Sequence, residues 1–275
     1  MAGAVEPVEV ETPAGPVAVH VLGAGLPTVL WHGLYADGSS WGYLLPALLP
    51  GRRLLVVDGP GWGRSLRTRR GAGDAAVLDA ARAVVRTLAP GAAVDWVGTG
   101  WGGRVGIELA ARSPELVRSV VAAMADPAPM PAEERRAVRR VLRRLRVVGP
   151  IGPVGRAIVV DQLSPASASE PQTVGALLDA LLLAGRFRAA RAVGRFDVRR
   201  PDLTGLLPAV TAPLLLVGSD GAGPLPEARA AELAALAPFA RAATVPEARG
   251  QLALDRPEAF GRVVQDFWTG LAVPD

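Results

Sequence analysis

Few residue types in this 275-residue chain can carry covalent or acid–base chemistry. Cysteine and lysine are both absent. That excludes disulfides, thiolate nucleophiles, cysteine-ligated metals, Schiff-base lysines and a P-loop lysine. Histidine occurs twice, at His20 and His32. A multi-histidine metal site therefore lacks ligands, and imidazole acid–base chemistry has two candidates. Polar residues gather in three glycine-containing segments. The first is His32-Gly33-Leu34, followed by Tyr35, Asp37, Ser39-Ser40 and Trp41. The second is Asp58-Gly-Pro-Gly-Trp-Gly-Arg-Ser65, and the third is Val97-Gly-Thr-Gly-Trp-Gly-Gly103.

The elements that position these segments follow from hydropathy. Alternating stretches at Val5–Val10 and Val17–Leu22 predict a leading hairpin joined through Pro13–Pro16. Short apolar runs follow at Thr28–Trp31, Leu54–Val57, Val94–Val97, Val117–Ala123, Leu214–Val217 and Ala242–Val245. Such runs are expected of strands buried on both faces. Helical patterns at Asp74–Leu88, Gly102–Ala111, Pro226–Leu236 and Pro257–Trp268 separate or follow them. The alternation predicts an α/β fold with a mostly parallel, doubly wound sheet.

Between Pro127 and Gly205 the alternation stops. Only helical patterns remain there, at Ala132–Val148, Val154–Leu163, Pro171–Leu183 and Phe187–Phe196. This predicts a core over 1–126, a helical lid or cap over 127–205 and a second core part over 206–275. In the first of these helices Val138, Val141, Leu142, Leu145 and Val148 share one face, and arginines fill the rest. Residues 127–205 hold 14 Arg against 7 acidic residues, while the remainder holds 16 against 19. All the net positive charge thus belongs to the insertion. A solvated amphipathic face accounts for it, and an acidic partner or carrier protein docking there is the functional alternative. No nucleic-acid motif accompanies the arginines. No apolar stretch is long enough to span a membrane, and the acidic N-terminus does not read as a signal peptide, so the expected location is cytoplasmic.

The three glycine-containing segments, in this order and each behind a strand, resemble the α/β-hydrolase superfamily in its esterase, epoxide-hydrolase and C–C-hydrolase branch. The resemblance covers nearly the whole chain, including the closing Leu254-Asp-Arg-Pro-Glu-Ala-Phe260. It implies an eight-stranded sheet with an inserted helical lid. It also implies a nucleophile between Gly98 and Gly102, where a strand turns sharply into a helix. That position is Gly100. The family's acid position, counted from Gly218, falls on Gly221, with Asp220 one place early. The family's histidine position, counted back from Pro257, falls on Gly250, beside Gln251. By resemblance the triad is degenerate, whereas the backbone donors for an oxyanion, at Leu34 and Trp101, need no particular side chain.

Several roles remain open. Asp126, Asp220 and His32 are the candidate catalytic groups. Asp126 also reads as a cap for the segment at Pro127, Asp220 as a turn residue, and His32 as a loop residue that holds its turn. Gly33, Leu34, Tyr35, Gly100, Trp101, Gly250 and Gln251 are the candidate ligand-binding residues, and Arg249 can also hydrogen-bond a ligand. The Gly98–Gly103 segment also fits G-x-G-x-x-G, but it follows the fifth strand, so nicotinamide binding is set aside. No metal or cofactor is expected. The preferred expectation is a cofactor-independent, non-hydrolytic enzyme of cyclase, isomerase or lyase type. It would act on an apolar carbonyl-bearing small molecule, in a biosynthetic pathway by family analogy. The alternative is a ligand-binding or scaffolding pseudoenzyme, and a hydrolase with displaced catalytic residues ranks third.

Overall fold

The computed structural model describes residues 6–69, 71–220 and 223–271. Eight strands form one sheet: β1 Val8–Val10, β2 Val17–Gly23, β3 Leu26–Trp31, β4 Arg52–Val57, β5 Val94–Thr99, β6 Val117–Ala123, β7 Leu214–Gly218 and β8 Ala240–Thr244. Their spatial order is β1-β2-β4-β3-β5-β6-β7-β8. The β1–β2 and β2–β4 pairs are antiparallel and the rest are parallel. The expected start of the first strand at Val5 lies outside the described residues. The central strands are buried on both faces apart from Arg118 of β6, as their mostly apolar runs require.

The helices are α1 Leu45–Leu48, α2 Asp74–Leu88, α3 Trp101–Arg112, α4 Ala132–Val148, α5 Gly152–Val160, α6 Pro171–Phe196, α7 Glu227–Ala234, α8 Leu252–Asp255 and α9 Pro257–Leu271. The short α1 and α8 have no counterpart in the sequence reading, because four residues are too few to show a period. Register brings the loops together. Trp31 at the end of β3 pairs with Val57 of β4 and Gly98 of β5, and Thr99 pairs with Ala123 of β6. The segments starting at His32, Asp58, Gly100 and Met124 therefore leave the sheet side by side, at the carboxyl ends of parallel strands. Open α/β sheets bind ligands at that edge.

Helices α4, α5 and α6 stand between β6 and β7, where the alternation stops. α4 and α5 both pack on α6. Of the expected apolar face of α4, Leu142 and Leu145 are buried, while Val141 and Val148 are exposed. Helix α6 merges the two expected helices but breaks at Gly185, whose φ of 73° and ψ of 158° are not helical. Arg104 of α3 fixes both ends of the insertion. Its guanidinium donates to the Asp126 and Ala128 carbonyls at the entry and to the Pro201 carbonyl at the exit. Burial, with the Arg200 charge adding to it, lowers its pKa to about 10.

At the opposite end of β5, Asp95 is fully buried. Its carboxylate accepts hydrogen bonds from Arg52, Arg118 and Ser119. Arg52 also lies over the Trp268 ring, 3.2 Å from its centroid.

Candidate functional site

The site grows from the turn between β5 and α3. Gly100 adopts φ +50° and ψ −111°, a conformation that side-chain-bearing residues rarely adopt. Its N–H donates to the Ala123 carbonyl at 2.8 Å, and its carbonyl accepts from the Arg104 N–H at 3.1 Å. The flanking glycines are fixed by close packing. A Cβ at Gly98 would lie 2.3 Å from the Gly102 carbonyl carbon, and one at Gly102 would lie 2.1 Å from the Trp31 carbonyl oxygen. Gly100 differs from both. A Cβ there would have Gly33 Cα as its nearest neighbour, at 3.9 Å. The turn is built tightly around an open space.

Two backbone donors border that space. Among the described residues, neither the Leu34 N–H nor the Trp101 N–H donates a hydrogen bond to the protein. Trp101 also opens α3, so the helix dipole adds partial positive charge there. The loop carrying Leu34 is tied on both sides. Gln251 Nε2 donates to the Leu34 carbonyl at 2.8 Å. His32 Nδ1 donates to the Gly33 carbonyl at 2.7 Å, and His32 Nε2 accepts from the Gly59 N–H at 2.8 Å. This pattern requires the neutral ring, and complete burial lowers its pKa below the ordinary 6.5.

These elements open into a cavity of about 790 Å³. Met124, Val138, Val141, Val154, Ile158 and Phe196 give it an apolar wall. Trp101 stacks on Phe196 with ring centroids 5.0 Å apart, which joins the β5–α3 turn to the insertion. Four carboxylates and four arginines also line the cavity. Asp126 pairs with Arg229 at 3.3 Å, Asp197 with Arg200 at 2.8 Å and Asp161 with Arg249 at 3.9 Å. Glu134 has no ion pair or hydrogen bond among the described residues. Partial burial raises its pKa above the ordinary carboxylate value; Asp197, Asp126 and Asp161 add to this, and Arg200 opposes it. No Ser, Thr, Cys, Lys or His is among the described residues lining the cavity. No group of three or more His, Asp or Glu among them could hold a metal ion.

All seven expected ligand-binding residues, Gly33, Leu34, Tyr35, Gly100, Trp101, Gly250 and Gln251, line this cavity. The three expected catalytic residues fare differently. His32 does not line it, and both of its ring nitrogens are engaged in holding the loop. Asp220 is exposed and does not line the cavity either; it accepts from the Glu247 N–H at 2.7 Å. Its neighbour Gly221 lies outside the described residues. Asp126 does line the cavity. One of its oxygens caps the Ala128 N–H at 2.8 Å and the other meets Arg229. Sequence reasoning missed Glu134, Arg104, Asp161, Asp197 and Arg200. An arginine among the glycines and apolar residues that open α3 was the available signal for Arg104. The others reach the cavity only through packing of the insertion.

A family model described as the alpha/beta hydrolase fold matches residues 27–147. A pimeloyl-[acyl-carrier protein] methyl ester esterase of Yersinia enterocolitica is 29% identical over 245 residues, covering 87% of this chain and 92% of the relative. The enzyme of the same name from Sodalis glossinidius is 37% identical over 99 residues, 36% of each chain. Among solved structures, a thermophilic esterase from Thermogutta terrifontis superposes with TM-score 0.83 at 22% identity, over 98% of this chain and 100% of that one. An enol-lactonase from Burkholderia xenovorans LB400 superposes with TM-score 0.81 at 20% identity, over 95% and 100%. The structural likeness speaks for the fold.

The sequence relatives correct the functional expectation. They are esterases, so the cyclase, isomerase or lyase reading is overturned, and with it the label of pseudohydrolase. The expectation had weighed the missing side chain at Gly100 above the surviving backbone donors. Those donors serve ester cleavage whatever supplies the nucleophile. Among the described residues, no helix is long and apolar enough to cross a membrane.

Proposed function

The chain belongs to the α/β-hydrolase superfamily, and from that premise we propose that it hydrolyses a carboxylic ester, with water in place of a side-chain nucleophile. The ester carbonyl oxygen accepts from the Leu34 and Trp101 N–H groups. A water molecule in the space beside Gly100 attacks the carbonyl carbon. Glu134, the cavity carboxylate without a partner among the described residues, takes the proton from that water and returns it to the alkoxide oxygen as the acyl C–O bond breaks, which releases the acid and the alcohol. The observation that carries this reading is the turn itself: two backbone donors without a partner among the described residues, beside a glycine in a conformation that side chains rarely adopt, with open space above it.

The magnitude follows from the parts retained. Serine hydrolases deprived of their triad keep about 10³–10⁴-fold acceleration over water, from oxyanion stabilisation and binding alone. A slow esterase in that range is the expectation here. The apolar cavity wall suits an acyl chain, and the relatives' names supply its class: an acyl group on a carrier protein. The carrier would dock on the arginine face of α4, which carries Arg139, Arg140, Arg143 and Arg146, with Arg144 lining the cavity. Asp126 remains a positioning residue, capping the entry to the insertion.

The test is release of methanol from medium-chain acyl methyl esters, alongside labelling with a serine-directed fluorophosphonate. The expected result is turnover above buffer with no labelled residue. Turnover no faster than buffer, or a labelled serine, would overturn the proposal.

A further inference from the structure

Tyr35 is a buried polar side chain with no assigned partner. It follows Leu34 in the loop that carries one of the two backbone donors. It is 7% exposed, lines the cavity and adopts φ +69° without being glycine. Its hydroxyl makes no hydrogen bond to any described residue, although its ring packs edge-on against Trp62. Burial raises its pKa above the ordinary 10, with the Asp197 and Asp161 charges adding to this, so the hydroxyl stays protonated and available as a donor. A left-handed, side-chain-bearing residue is strained, and such strain persists where the surroundings hold the residue in place.

Tyr35 shares its cavity with the open space at Gly100. A Cβ at Gly100 would have its nearest neighbour at 3.9 Å, so the volume a side chain would take is open to a second ligand oxygen. A neutral ester fills this space with its carbonyl oxygen and a water molecule. A free carboxylate fills it with both of its own oxygens and brings negative charge to the amino end of α3.

We propose that the space above Gly100 is a carboxylate-binding site for a medium-chain monocarboxylic acid. One carboxylate oxygen accepts from the Leu34 and Trp101 N–H groups, and the other lies over Gly100 and accepts from the Tyr35 hydroxyl. The acyl chain lies along Met124, Val154, Ile158 and Phe196. This deepens the esterase reading, on which it rests for the identity of the acid as reaction product, but binding itself needs no turnover. The site then holds the free acid in preference to an uncharged chain of the same length.

Titration calorimetry with octanoate and with 1-octanol tests this, because neither compound can be hydrolysed. The expected result is octanoate binding at least tenfold tighter than octanol. Tyr35→Phe keeps the ring packing and should weaken octanoate about tenfold, while changing octanol little. Gly100→Ala, with folding checked by thermal unfolding, should weaken octanoate again by filling the space. Octanol binding as tightly as octanoate, or Tyr35→Phe leaving octanoate unchanged, would overturn the proposal. Octanoate binding without any ester turnover would overturn the esterase reading and leave the carboxylate site standing.

Discussion

The two ends of strand β5 pose opposite problems. At its amino end Asp95 is fully buried, and two arginines and a serine surround its carboxylate. At its carboxyl end Gly100 has no side chain, and the donors beside it at Leu34 and Trp101 bond to no described residue. One end satisfies its polar groups internally and serves stability. The other leaves donors and an open space for something from outside. Buried polar groups are normally paired, so a set without described partners at the edge where such sheets bind ligands is what singles out this end as the candidate site.

Substitutions can sharpen or break this contrast. The largest effect is expected at the closed end. Asp95→Ala leaves Arg52 buried without its counter-charge and should cost about 3–5 kcal/mol in denaturant unfolding. If Asp95→Ala unfolds like the parent, the closed end is not the structural anchor described here. Gly102→Ala comes next. Its Cβ would meet the Trp31 carbonyl, so backbone must move, and a loss of about 1–3 kcal/mol is expected together with loss of ligand binding. Gly100→Ala should cost less, about 1–2 kcal/mol, since only the backbone conformation resists it. Equal losses at 100 and 102 would remove the distinction between a packed glycine and an emptied position.

The smallest expected effect concerns pH. His32 is held neutral in the folded state, with its pKa below the ordinary 6.5. Below that value the unfolded chain takes up the proton first, so protons favour unfolding. Stability should fall as pH drops from about 6.5 toward the lowered folded pKa. His32→Gln should flatten that part of the profile. A profile that His32→Gln leaves unchanged would show that the ring is not the buried, neutral tie seen here.

Much of this molecule was legible in the sequence for identifiable reasons. Strands such as β3, β4 and β7 announce themselves because burial forces apolar runs such as Val29–Trp31, Leu54–Val57 and Leu214–Val217. The turn at Gly98–Gly102 was legible because backbone packing there admits only glycine at its flanks. The break at Gly185 showed as a gap between two helical patterns. The cavity wall was far less legible. Glu134 and Arg144 read as solvated residues of an amphipathic helix, and they are exposed, but nothing local says that they also border the cavity that α4 and α5 help to form. His32 was ambiguous because its role depends on Gly59, 27 residues away. Asp220 was misplaced because a short loop decides whether a residue faces the cavity, and spacing alone does not set that direction.

The central claim is that the open end of β5 hydrolyses esters through water activated by Glu134. The pH–rate profile for hydrolysis of a p-nitrophenyl acyl ester, compared between the parent and Glu134→Gln, tests it most directly. The account predicts a reaction without a burst of nitrophenol. Its rate should rise with pH through a pKa above the ordinary carboxylate value, and Glu134→Gln should lower that rate at least tenfold and abolish the titration. A nitrophenol burst, or a profile unchanged in Glu134→Gln, would contradict it.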